Sequence, residues 1–174
     1  MCGIALGVWH HEDTQPRDAW TSVISQIQRR GRDAYHSVAY TQDGTRWELH
    51  ASVLCLRGKE LTPQPITSQD GQLHLAWNGQ IFSSEHEDDP LLDMERNDGA
   101  IIMTRLEEHA DQIPDVLVST LSAVDGPYAF VLVDTRNACI YYGRDPLGRR
   151  SLLHTTTQGA WHLASVSGAA WKTH

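Results

Sequence analysis

Met1-Cys2-Gly3-Ile4-Ala5-Leu6-Gly7-Val8-Trp9 opens the chain, and its reading decides what the remaining residues have to build. Ile4–Trp9 is an apolar run that suits one buried strand and is far too short to cross a membrane as a helix. It has neither the charged flank nor the length of a secretory leader. In front of the strand stands Cys2. With Met1 removed, which a small second residue favours, Cys2 carries both a thiol and a free α-amine. A thiol titrates near ~8.5 and an α-amine near ~7.7–8.0, so the amine is partly neutral at cellular pH and can take the thiol's proton. One residue then supplies both a nucleophile and its general base. A second-position cysteine with no such role is also commonplace, so the rest of the chain must decide.

Outward from that strand, His10–Thr14 reads as a polar turn, and Thr14 or Gln15 precedes Pro16 at a helix start. Trp20, Val23, Ile24 and Ile27 share one face of a helix that stops at Gly31. Tyr35–Tyr40 and Trp47–Leu56 form a hairpin about Asp43-Gly44. Thr62-Pro63-Gln64-Pro65 is a loop, and Leu73–Trp77 is a strand that runs into Asn78-Gly79. Ser83–Asn97 is acidic and poor in β-formers, and reads as a solvated, mobile loop. Ala100–Ala110 and Pro114–Leu121 have helical spacing. Tyr128–Asp134, Cys139–Gly143, Ser151–Thr155 and Trp161–Ser165 are further strands. Helices and strands segregate along the chain, which predicts an α+β fold.

The protein has 174 residues and a formal net charge of −8. That length predicts one domain with its own core. The charge argues against nucleic acid or an anionic membrane as partner. Arg29-Arg30-Gly31-Arg32 and Arg144…Arg149-Arg150 are too short and interrupted to form a binding stripe. The three cysteines are widely spaced, which predicts neither a disulfide framework nor a zinc site. Cys55 and Cys139 lie in apolar runs and read as core residues of strands. The ten histidines form no HExxH or HxxxH pair, so no metal is expected. Cytoplasmic location is the default.

Acyl-transfer chemistry needs donors for a developing oxyanion besides a nucleophile and base. Asn78-Gly79, at the end of an apolar strand, can aim an amide side chain and a backbone N–H at one small volume, because glycine lets a ligand approach closely. The same dipeptide is also the commonest two-residue hairpin turn, and the sequence leaves both readings open. Asp134 and Asp145 read as turn or salt-bridge residues, and Trp77 and Trp161 as core or interface aromatics.

Several motifs occur in one order: Met1-Cys2-Gly3-Ile4, Arg30-Gly31-Arg32-Asp33, Gln64-Pro65, Trp77-Asn78-Gly79-Gln80-Ile81-Phe82, Asn97-Asp98, Asp125-Gly126-Pro127-Tyr128-Ala129-Phe130 and Gly143-Arg144-Asp145-Pro146-Leu147-Gly148-Arg149-Arg150. The series resembles the class II glutamine amidotransferase (glutaminase) domain of asparagine synthetases. Leu56-Arg57-Gly58 and Gly148–Leu153 resemble most closely the eukaryotic asparagine synthetase domain-containing proteins. The resemblance runs from Met1 to about Ser165. It implies a four-layer αββα sandwich of the N-terminal-nucleophile (Ntn) hydrolase type and hydrolysis of L-glutamine to glutamate and ammonia. In that scheme Cys2 is the nucleophile, Asn78 and Gly79 form the oxyanion hole, and Asp98 binds the substrate ammonium. No cofactor or metal is implied for this half-reaction.

Three positions depart from the family pattern. Gln80 stands where a Glu is usual, and Arg32 where a Pro is usual. Val53 stands where the substrate-carboxylate Arg is expected. Arg57 is the nearest candidate for that task, four residues and about 13 Å further along the expected strand. These changes motivate a second reading, a catalytically weak or silent module of the same fold that binds a partner or regulates a synthetase domain. The expected division is a glutaminase-type domain over 1–165 and a tail or linker start over 166–174. An ATP- and Mg-dependent synthetase domain is not encoded in this stretch, so the resemblance implies such a domain or subunit as partner. It leaves a homodimer open.

Overall fold

The computed structural model describes residues 1–10, 17–157, 159–168 and 171. The expected polar turn beyond His10 and the helix start at Pro16 lie outside them. In chain order the elements are β1 (Gly3–His10), α1 (Arg17–Arg30), β2 (Ala34–Gln42), β3 (Thr45–Val53), β4 (Ile66–Thr67), β5 (Leu73–Gly79) and β6 (Ser83–Ser84). There follow α2 (Asp98–Glu108), α3 (Ile113–Ser122), β7 (Val124–Asp125), β8 (Tyr128–Asp134), β9 (Cys139–Arg144), β10 (Leu153–Thr157) and β11 (Ala160–Ala164). The order of strand, helix, strands, helices, strands is the one that periodicity predicts.

All the sheets are antiparallel. The first has the order β10-β11-β1-β3-β2, the second β4-β5-β8-β9, and β6 pairs with β7. Period-two alternation along β1 explains how the first sheet is buried on both faces. Ile4 and Leu6 join Leu49, Ala76, Val131 and Leu163 in a cluster shared by the two sheets. Ala5 points the other way, under Trp20, Val23 and Ile27 of α1, the helical stripe read from the sequence. Val166 and Trp171, beyond β11, also pack there. The outer face of the second sheet, from Leu73, Leu75, Trp77, Phe130 and Leu132, is covered by Ile101, Ile102 and Leu106 of α2 and by Ile113 and Leu117 of α3.

Of the two readings open for Asn78-Gly79, the hairpin turn falls: β5 continues through both residues, paired with Ala129 and Tyr128. Three expectations are corrected. Cys55 is exposed and lies past the end of β3, because the strand stops at Val53. Cys139 is in a strand but only half-buried, at the first position of β9. The segment 83–97 carries structure: β6 pairs with β7, and a short 3-10 turn at Pro90–Leu92 buries Leu91 completely. Asp89 is the anchor that composition conceals. It caps that turn by accepting from Leu91 N–H, accepts from Ser84 Oγ, and is ion-paired with Arg105 of α2.

Candidate functional site

Cys2 immediately precedes β1, at an end where α1, β3 and β5 come together. The Arg30-Gly31-Arg32-Asp33 motif fixes this corner. Gly31 passes so close over the end of β3 that a Cβ there would lie 2.5 Å from Val53 N. Arg30 Nε donates to Cys2 O at 3.2 Å, and Asp33 Oδ2 accepts from Cys55 N–H at 2.7 Å. The peptide of Leu54 then cradles the sulfur: Leu54 N–H donates to Sγ at 3.5 Å, and the thiol lies 3.7 Å from Leu54 O.

Asn78 reaches the same corner from the second sheet. It lies two residues beyond Ala76, which faces the first sheet, so its side chain leaves β5 on that side too. Its Nδ2 is buried and has no hydrogen-bond partner among the described residues. Gly79 contributes its backbone. Gln80 N–H donates to Pro127 O at 3.0 Å, and bonded positions alternate in an antiparallel ladder. Gly79, opposite Tyr128, is therefore a non-bonded position whose N–H points away from β8. Tyr128 N–H is taken on its other side by Asp145 Oδ2. Trp77 N–H points the same way as Gly79 N–H and is satisfied by Gln64 Oε1 at 2.6 Å. The residue must be glycine: a Cβ would stand 2.6 Å from Tyr128 Cβ and 2.7 Å from the Trp77 indole, which stacks on Tyr128.

Asp98 begins α2, where Asn97 caps the helix by accepting from Ala100 N–H at 3.2 Å. A carboxylate in the first helical turn also meets the positive end of the helix dipole. Asp98 is buried, accepts from Ile81 N–H and Gly99 N–H, and lies 3.6 Å from Arg57 Nη1. Arg57 is not on an extended strand as expected. It sits in the loop after β3, and its Nη atoms are held by the carbonyls of Ile81, Leu91 and Asp93. Gln80 is half-buried beside Gly79.

Cys2, Asn78, Gly79, Gln80, Arg57 and Asp98 all line one cleft, together with Met1, Leu54, Gln64 and Arg150. The cleft encloses about 30 Å³, room for roughly one or two waters. Met1 forms part of its wall. Burial pushes the Cys2 thiol above its ordinary value, and Asp98 adds to this. The Leu54 N–H, the positive N-terminus and Arg150 act in the opposite direction. Burial likewise raises the Asp98 carboxyl, opposed by Arg57 and the two N–H donors.

Sequence reasoning missed Arg150, read as part of a short, interrupted basic cluster. The salt-bridge reading fits Asp145, which binds Arg149 while Arg149 also holds Asp125 and Gly126 O. The next residue turns into the cleft instead, and only its place in the ordered motif series hinted at that. A wider groove of about 540 Å³ between α3 and β9 is mostly apolar and lined by no cysteine. Volume alone therefore does not identify the site. Among the described residues no group of His, Cys, Asp and Glu could hold a metal ion, and no helix is long and apolar enough to cross a membrane.

A family model described as a glutamine amidotransferase domain matches residues 1–174. The chain is 31% identical over 166 residues to asparagine synthetase domain-containing protein 1 of Bos taurus, covering 95% of this chain and 23% of that protein. It is 32% identical over 174 residues to the Gallus gallus protein of the same name, covering 98% of this chain and 25% of that one. It is 28% identical over 152 residues to the glutamine-hydrolyzing asparagine synthetase of Asparagus officinalis, covering 85% of this chain and 24% of that enzyme. The chain thus spans about a quarter of the length of these relatives.

Proposed function

The chain belongs to the glutamine amidotransferase domain family, and from that premise we propose that its cleft cleaves the side-chain amide of L-glutamine, giving glutamate and ammonia. The observation that carries this reading is the buried, unpartnered Nδ2 of Asn78 in a cleft shared with Cys2. A buried donor without an acceptor costs about 1–3 kcal/mol, and a ligand oxyanion there removes that cost. With Met1 gone, the α-amine of Cys2 takes the thiol proton and the thiolate attacks the amide carbon. Asn78 Nδ2 and Gly79 N–H receive the oxyanion, one such donor being worth ~2.7–4 kcal/mol of barrier. The protonated α-amine gives its proton to the amide nitrogen, which leaves as ammonia as the thioester forms, and water then hydrolyses the thioester to release glutamate. Asp98 meets the substrate's α-ammonium, with Gln80 beside it.

The same reading makes the layers of helix α1, two sheets and helices α2 and α3 a four-layer αββα sandwich of the Ntn-hydrolase type. It passes the ammonia to a synthetase domain or subunit, in keeping with relatives about four times as long. It places the reaction in the cytoplasm, in keeping with three free cysteines. The test is ammonia release from glutamine by protein whose first residue is Cys2 by intact mass. Cys2→Ala should abolish release, and unchanged turnover in that variant would refute the reading.

Two observations favour a second reading, a silent module of this fold that serves as a partner-binding or regulatory unit. The thiol is raised by burial and Met1 walls the cleft. Diazo-oxo-norleucine, a glutamine-mimicking electrophile, separates the two: covalent labelling of Cys2 in processed protein eliminates the silent module.

A further inference from the structure

We propose that Arg57 is a positioning residue: it stands as a fixed cation behind the carboxylate of Asp98, which is aimed for an α-ammonium group, and so sets the cleft's preference for substrates that carry one. This assignment rests on the glutaminase reading. It differs from the carboxylate clamp expected of Arg57 from the sequence.

The guanidinium cannot follow a ligand. Its Nη1 donates to Ile81 O at 2.9 Å, and its Nη2 donates to Leu91 O at 2.5 Å and Asp93 O at 2.9 Å. All three acceptors are main-chain carbonyls of the segment after β5. Turning the fork toward a substrate carboxylate would strand them, at about 1–3 kcal/mol for each of the two buried ones, Ile81 O and Leu91 O. Fixed there, Arg57 stands 3.6 Å from Asp98 Oδ2, and both side chains are 3% exposed. That separation is beyond a hydrogen bond, so Arg57 acts on Asp98 as a charge.

Orientation is imposed separately. Ile81 N–H donates to Asp98 Oδ2 at 3.0 Å while Ile81 C=O holds Arg57, so one residue sets both partners. Gly99 N–H takes Oδ1. Each carboxylate oxygen has further lone pairs, leaving acceptor capacity for a cation in the cleft. Burial works against the charge that this task needs, and Arg57 is the cation that opposes it. Without Arg57, only the N–H donors oppose burial, which shifts the carboxyl further toward the neutral acid, the form that does not attract ammonium.

Two electrophiles isolate this role in Met1-free protein, with modification at Cys2 read by peptide mass. Diazo-oxo-norleucine carries an α-ammonium and iodoacetamide does not. Arg57→Gln should slow labelling by diazo-oxo-norleucine by about tenfold or more, roughly 1.4 kcal/mol, and change iodoacetamide labelling less than about twofold. Arg57→Lys, which keeps the charge and loses the fork, should recover part of the difference, and it decides the matter if Arg57→Gln has no melting transition. Equal slowing of both reagents in folded variants, or slowing of neither, overturns the assignment. Absence of diazo-oxo-norleucine labelling in the parent protein, with iodoacetamide still reacting, overturns the glutaminase reading itself.

Discussion

The thioether of Met1 lies 3.1 Å from Nη1 of Arg150 and 3.9 Å from Nη2 of Arg30. A thioether is a weak acceptor, and neither arginine has a carboxylate partner among the described residues. The Arg30 guanidinium is lowered by burial and further by Arg150, which marks how closely the two cations converge. Removing Met1 therefore does more than expose an amine. It vacates cleft volume beside Cys2 and takes the thioether away from the two arginines.

That relationship gives the first prediction. Protein retaining Met1 should react with diazo-oxo-norleucine at Cys2 at least about a hundredfold more slowly than processed protein, since it lacks both base and space. Intact mass before and after labelling measures both quantities in one sample. Equal rates would show that the amine of Cys2 does not activate its thiol.

Asn78 and Gly79 should fail in different ways. The Nδ2 of Asn78 has no partner to lose in the resting protein. Asn78→Ala should lower kcat about 100- to 1,000-fold, leave KM within a few-fold, and leave the melting temperature nearly unchanged. Gly79→Ala places a methyl group 2.6 Å from Tyr128 Cβ and should lower the melting temperature instead. Steady-state kinetics with thermal melts on the two variants separates a chemical role from a packing role.

The strands, the stripe of α1 and the Cys2–Asn78–Asp98 grouping were legible in the sequence, because period and motif order reflect local constraints. Trp20, Val23 and Ile27 share a helix face whatever surrounds them, and they are buried as that face requires. The failures come from partners remote in sequence. Asp89 reads as one more solvated acid until Arg105 of α2 meets it. Arg57 reads as a carboxylate clamp on an extended strand until three carbonyls from the segment after β5 close on it. Asn78-Gly79 leaves a turn open because the dipeptide itself is silent about Tyr128, opposite Gly79 and stacked on Trp77.

The Asp89–Arg105 pair supports a third prediction. The Asp89 side chain is 2% exposed, and its carboxyl is held below the usual range: burial alone would raise it, but Leu91 N–H, Ser84 and Arg105 prevail. Arg105→Ala leaves that buried charge without its cation and should cost about 3 kcal/mol. The urea midpoint should fall, and limited proteolysis should cut within 83–97 before the strands are attacked. An unchanged midpoint would mean that the segment holds without the ion pair.

His162 should make the protein acid-labile. It lies on β11 beneath α1, 3% exposed, with neither ring nitrogen hydrogen-bonded among the described residues. Its ring centroid is 5.1 Å from that of Trp20 and 6.4 Å from that of Trp171. Burial depresses the imidazole, so the unfolded chain binds a proton at a pH where the folded protein does not. Stability contributed by the neutral ring is complete above the ordinary histidine value of about 6.5 and is lost as pH falls toward the depressed one. His50 and His74, also lowered by burial, act in the same direction, with Glu48 opposing the effect at His50. His162→Phe keeps a ring between the two indoles and removes the proton site. Urea unfolding followed by tryptophan fluorescence from about pH 7.5 to pH 5 should show a shallower loss of stability in His162→Phe than in the parent. Parallel slopes in the two proteins would place the acid sensitivity on the other histidines.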